Sequence, residues 1–174
     1  MSAATPDGPS AVPTPDLTEA NAALRREVAE LRRESLLLAR TQAAARIGGW
    51  EFNAVTKALY WTEETYHIHE TSAVDYTPVL ESALAFYAPE SLPALTAAIQ
   101  KALAEGQPYD LELELITAKR RRIWVRTIGE AQMENGRVNR LFGSFQDITK
   151  QRRMSALLRV SQQRLQYAVK LSGA

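Results

Sequence analysis

His67 and His69 are the only two histidines of this 174-residue chain, and it contains no cysteine. Disulfides, thiolate zinc sites, iron–sulfur clusters and cysteine nucleophiles are therefore excluded. Two histidines cannot build a multi-histidine metal site, so no metal is expected. Spaced two apart, they face nearly opposite ways on a helix. Glu112 and Glu114 share one strand face, as solvated acids do, and do not read as a catalytic pair. Lys119-Arg-Arg-Arg122 is basic but has no interleaved aromatics, so it reads as a solvated turn rather than a nucleic-acid contact. No Ser-His-Asp arrangement, phosphate loop or metal motif occurs. No catalytic residue is expected, and the chemistry left open is binding. Trp61, Tyr66, Tyr87, Trp124, Phe142 and Phe145 supply either the lining of an apolar pocket or plain core.

Some elements must position these side chains. The composition, 45% hydrophobic and 24% charged with net charge +1, suits one globular core with helical attachments. Residues 1–16 hold four prolines among small polar residues and predict a disordered leader. From Leu17 a heptad begins: Leu17, Leu24, Leu31 and Leu38 lie seven apart, with Asn21 and Val28 at the partner positions. That pattern predicts a helix over 17–46 that pairs as a parallel two-stranded coil, and so a homodimer. A single amphipathic helix lying on its own domain is the alternative. Gly48-Gly49 is expected to stop this helix.

Trp50–Asn53 and Ala58–Trp61 read as a hairpin. Thr62, followed by two glutamates, predicts a capped helix start. Pro78 opens a short helix, and Ser91–Glu105 predicts a longer one with Leu92, Leu95, Ile99 and Leu103 on one face, ended by Gly106. Three strands follow: Tyr109–Leu115, Arg122–Ile128 and Val138–Ile148. Asn135-Gly136 makes the turn before the last. If Phe145 points inward, Phe142 points outward and needs cover from the coil helix or a second subunit. From Thr149 the chain turns helical again. The fold class is α+β: a five-stranded antiparallel sheet with helices on one face, preceded by the coil helix and followed by a C-terminal helix. Residues 47–147 carry nine basic and fourteen acidic side chains, whereas 148–174 carry six basic and no acidic ones. That basic tail reads as a solvated helix face. No apolar run approaches the ~20 residues a bilayer span needs, and the N-terminus lacks a secretory pattern, so a cytoplasmic location is expected.

Asp147-Ile-Thr149 after an Asn-Gly turn, with Gly143 four residues earlier, resembles the end of a PAS sensor domain. Ile123-Trp-Val-Arg126 resembles the penultimate strand of the PAS subgroup usual in bacterial sensor kinases and diguanylate cyclases. Gly49-Trp-Glu-Phe52, Tyr60-Trp-Thr-Glu-Glu64 and Glu105-Gly-Gln-Pro-Tyr-Asp-Leu-Glu112 resemble earlier pieces of the same domain in the same order. The resemblance covers about residues 46–149, so 47–149 is expected as the PAS domain and 150–174 as a signalling helix. Residues 161–173 resemble the lead-in to a further PAS domain, and the natural protein is expected to continue.

The resemblance implies a sensory and dimerisation module of a two-component or cyclase-type protein. It would relay a small-ligand or partner-induced change to a downstream kinase or cyclase domain; a ligand-free structural relay is the alternative. The fragment itself is not expected to be an enzyme, and neither nucleic acid nor a membrane span is expected. The pocket candidates are Trp61, Tyr66, His67, Tyr87, Leu113 and Phe145. The family's final Asp commonly pairs with an arginine, which makes Arg126, Asp147 and Thr149 the signal-coupling set. Leu17, Leu24, Val28, Leu31, Leu38 and Phe142 form the dimerisation set. The cofactor is unknown: cysteinyl-flavin chemistry lacks its cysteine, Phe145 stands where flavin sensing uses a glutamine, and Ser91–Glu105 carries no histidine for haem.

Overall fold

A computed structural model describes residues 17–172; the leader expected over 1–16 lies outside them. The chain divides into two compact units, the first ending at Leu38 and the second starting at Ala39. The first consists of most of helix α1 (Leu17–Ala45). Leu17, Leu24, Leu31 and Leu38 are all exposed there, and Val28 is half-buried.

The second unit is a five-stranded antiparallel sheet of order β2-β1-β5-β4-β3. The strands are β1 (Ile47–Asn53), β2 (Leu59–Trp61), β3 (Tyr109–Ile116), β4 (Arg122–Glu134) and β5 (Arg137–Asp147). Strict alternation decides the faces. Phe52, Leu141, Phe145, Val125, Leu113 and Leu115 are buried on the inner face, and Phe142 on the outer face is 40% exposed. Helices α2 (Glu63–Ile68), α3 (Leu80–Leu84) and α4 (Leu92–Glu105) lie between β2 and β3 in sequence. Of these, α2 packs on β1 and β5, and α4 on β3, β4 and β5. Helix α5 (Thr149–Ser172) leaves from the end of β5.

Two local expectations, the glycine stop and the Thr62 cap, are corrected. The glycine pair does not stop α1. Arg46, in the left-handed region at φ 54°, does so, and Gly48 and Gly49 lie within β1. Gly48 is needed for close packing instead: a Cβ there would come within 2.1 Å of the Thr65 hydroxyl and 2.6 Å of its backbone nitrogen. Thr62 and Ser91 stand at helix starts, yet neither side chain caps its helix. Thr62 Oγ1 accepts from the Gly49 amide at 2.8 Å, and Ser91 Oγ from the Glu114 amide at 3.1 Å. In both cases a strand amide outcompetes the helix's own first turn. Other turn chemistry is as expected: Asn135 (φ 52°) and Gly136 (φ 75°) form the tip of the β4–β5 hairpin, and Gly106 (φ 71°) ends α4.

Antiparallel pairing of β1 with β5 has a functional consequence. Ile47 pairs with Gln146, so the chain enters the sheet from α1 beside the point where it leaves for α5.

Candidate functional site

Between the inner sheet face and the helices lies a cavity of about 60 Å³. The sheet contributes Trp50, Phe52, Leu59, Trp61, Tyr109, Thr127, Leu141 and Phe145, and the helical side Leu80, Leu84, Tyr87, Leu95 and Ile99. Two glycines make the shape. A Cβ on Gly129 would strike the Tyr109 ring at 2.4 Å, and one on Gly143 would meet the Ile128 carbonyl oxygen at 1.7 Å. The freed space lets Tyr109 stack on Trp50 with ring centroids 6.4 Å apart.

The wall is aromatic, but its polar atoms decide what it can recognise. His69, just past α2, is 2% exposed and stacks between Trp61 (4.2 Å) and Phe145 (4.8 Å). Its Nδ1 lies 2.8 Å from the Thr65 carbonyl oxygen. A carbonyl only accepts, so Nδ1 carries the proton and Nε2 is the lone-pair nitrogen. Burial pulls the His69 imidazole down to about 4 against the opposing pull of that hydrogen bond. Burial pushes the Tyr87 and Tyr109 hydroxyls well above the ordinary phenol range, with the Thr127 hydroxyl opposing the shift at both. The Trp50 indole N–H is buried without a hydrogen-bond partner among the described residues. An orphan donor of this kind costs about 1–3 kcal/mol. No Asp, Glu, Lys or Arg lines the cavity. It suits a small uncharged molecule that accepts from Trp50 and meets the hydroxyls of Tyr87, Tyr109 or Thr127.

The depressed His69 value fixes a pH dependence. The folded state binds that proton more weakly than the unfolded chain, so its stability is complete above about pH 6.5 and falls towards pH 4. By pH 5 the loss is about 2 kcal/mol. Urea midpoints at pH 7 and pH 5 should show it, and a His69→Phe chain should show little of it.

The expected pocket set is thus split. Trp61, Tyr87 and Phe145 meet at the cavity. Leu113 is buried but lines none of it. Tyr66 and His67 line a separate pocket with Tyr60 and Glu63. His67 is solvent-exposed and sits 3.4 Å from Glu64. His69 replaces it because α2 ends at Ile68 and the next residue turns in under the sheet. Trp50, Tyr109 and Thr127 were not singled out; strand alternation with Phe52 and Val125 was the signal for the first and last.

The coupling set is also rearranged. Arg126 forms a bidentate pair with Asp110 on the outer face, its Nε at 2.7 Å, and does not reach Asp147. Asp147 pairs with Arg46 at 3.3 Å and accepts from the Thr149 amide at 2.9 Å. Thr149 Oγ1 in turn accepts from the Trp124 amide at 2.9 Å. Asp147 and Thr149 therefore pin the end of α1, strand β4 and the start of α5 together. Arg152 lies 3.8 Å over the Trp124 ring and pairs with Glu112. An Asp147→Ala chain should lose about 1 kcal/mol of capping and much of the amide-exchange protection at Thr149, whereas Arg126→Ala should leave that amide unchanged.

A family profile described as a PAS fold matches residues 58–145, half of the chain. The chain belongs to the PAS fold family. Solved PAS structures agree in fold. A sensory box histidine kinase/response regulator from Burkholderia thailandensis matches at TM-score 0.59 and 24% identity, covering 72% of this chain and 95% of that one. The N-terminal domain of a diguanylate cyclase with a PAS/PAC sensor from Marinobacter aquaeolei matches at TM-score 0.56 and 17% identity, covering 61% and 98%. The PAS domain of the fruit-fly ELK potassium channel matches at TM-score 0.52 and 17% identity, covering 65% and 95%. A kinase, a cyclase and a channel share the fold, so the fold does not assign an output. No curated protein matches the chain. Among the described residues no helix is long and apolar enough to cross a membrane, and no group of three metal-ligating side chains occurs.

Proposed function

We propose that this PAS domain is a cytoplasmic sensory and dimerisation module. Its core cavity takes a small uncharged molecule, and occupancy is relayed to an output domain beyond α5. The observation that carries the reading is the continuity of β5. Phe145 forms a cavity wall against His69, and Asp147, two residues on, clasps Arg46 and caps α5. A ligand that draws on Trp50 or Thr127 alters the stack on Phe145, and the change reaches the α1–α5 junction through a single strand. Such a relay requires the ligand to bind two arrangements of that junction unequally. The exposed heptad leucines of α1 and the exposed Phe142 supply the dimer contact, as a parallel coil and a covered sheet face.

A ligand-free relay is the second reading. The small volume favours it, since about 60 Å³ is well below the ~300 Å³ at which drug-sized ligand pockets begin. A native mass spectrum of the purified chain separates the two. A dimer with one small added mass per protomer is expected. A dimer of bare chains would favour the relay, and a bare monomer would sink the coil assignment.

A further inference from the structure

A second pocket, of about 470 Å³, opens at the junction where α1 ends and α5 begins. Five cationic side chains line it: Arg46, Arg121, Arg122, Lys150 and Arg153. Asp147 is the one acid in its lining. Some of this charge is answered locally. Arg46 pairs with Asp147 at 3.3 Å, Arg121 with Glu70 at 3.0 Å, and Arg122 with Glu90 and Glu114 at 2.6 and 2.9 Å. Lys150 and Arg153 have no carboxylate partner among the described residues.

Their position makes that unusual. The first turn of a helix carries a partial positive charge and favours acids. Helix α5 is 24 residues long and has no acid in its first turn. It carries Lys150 and Arg152 there instead, followed at once by Arg153. Arg152 is taken up by Glu112 and Trp124 on the outer sheet face. The other two bring cationic charge to a helix end that repels it, facing three more guanidinium groups. Local rules are broken in this way where a site has something to gain.

We propose that this pocket binds a multivalent phosphate group, a di- or triphosphate either free or as the tail of a nucleotide. Three observations favour phosphate over a single carboxylate. The cations number five, four of them are guanidinium forks suited to paired phosphate oxygens, and the α5 N-terminus faces the same space. The volume falls within the ~300–1,000 Å³ of small-molecule sites. Because Arg46 also clasps Asp147, a phosphate seated here competes for the contact that joins α1 to α5. The site is separate from the core cavity, and its success or failure leaves the cavity's role untouched.

The test is calorimetric titration of the full chain with inorganic triphosphate in about 0.15 M salt, a concentration that screens weak surface attraction. One saturable site per chain is expected. A Lys150→Gln, Arg153→Gln chain should bind at least tenfold more weakly, while its urea midpoint holds or rises slightly, because both side chains are exposed and the helix end repels their charge. A Lys101→Gln, Arg137→Gln chain makes the same net charge change away from the pocket and should keep the affinity. ATP is the second arm. Binding equal to triphosphate places recognition in the phosphates alone, and tighter binding adds a nucleoside contact; both support the site. Absence of saturation, equal weakening in the two double variants, or citrate binding as tightly as triphosphate would overturn it.

Discussion

A Gly143→Ala chain should show a large drop in its urea midpoint. The added methyl would lie 1.7 Å from the Ile128 carbonyl oxygen and 2.8 Å from its carbon. These are backbone atoms of the neighbouring strand, so relief requires β4 and β5 to part. The Trp50 ring, 3.0 Å away, closes the remaining direction. Overpacking of this kind costs about 3 kcal/mol, against a total of about 5–15 kcal/mol for a domain. Gly136→Ala is the contrasting case. Nothing lies within 4 Å of its added Cβ, and only its φ of 75° opposes the change. About 1 kcal/mol is expected there, so the two variants separate steric from conformational need for glycine.

The second large effect is expected in α1. Leu24 and Leu31 are 57% and 58% exposed in the single chain, at successive positions of the heptad stripe. Burying a leucine contributes about 1.5–3 kcal/mol, and a coil dimer buries each of these twice. A Leu24→Lys, Leu31→Lys chain should therefore sediment as a monomer at concentrations where the parent chain is a dimer. Its near-ultraviolet spectrum should stay that of the parent, since no residue of α1 is buried in the chain. A parent chain that sediments as a monomer would remove the coil and the dimer role of the leucine stripe together.

The fold was largely legible because its signals are local. Asn135-Gly136 announces a hairpin, and the Leu-Glu alternation of β3 shows both its strand and its faces. The site was less so, because its determinants are contacts between distant segments. His67 and His69 differ by two residues, and which one enters the core depends on where a six-residue helix stops. Asp147 finds Arg46 rather than Arg126 because β1 pairs with β5, which places residues about one hundred apart in sequence side by side. Arg126 faces outward, and Asp110 on β3 satisfies it. The need for glycine at 48, 129 and 143 likewise arises from neighbours on other elements. Composition carries no trace of it.

Coupling between the cavity and the α1–α5 junction is what the proposed relay requires. Its most direct test is an amide and indole nuclear magnetic resonance titration with pyrazole, a small ring that is neutral at pH 7 and carries one donor and one acceptor. The Trp50 indole and the Thr149 amide should shift together, along one saturation curve. A Trp50 indole that saturates while the amides of Asp147 and Thr149 stay fixed would contradict it.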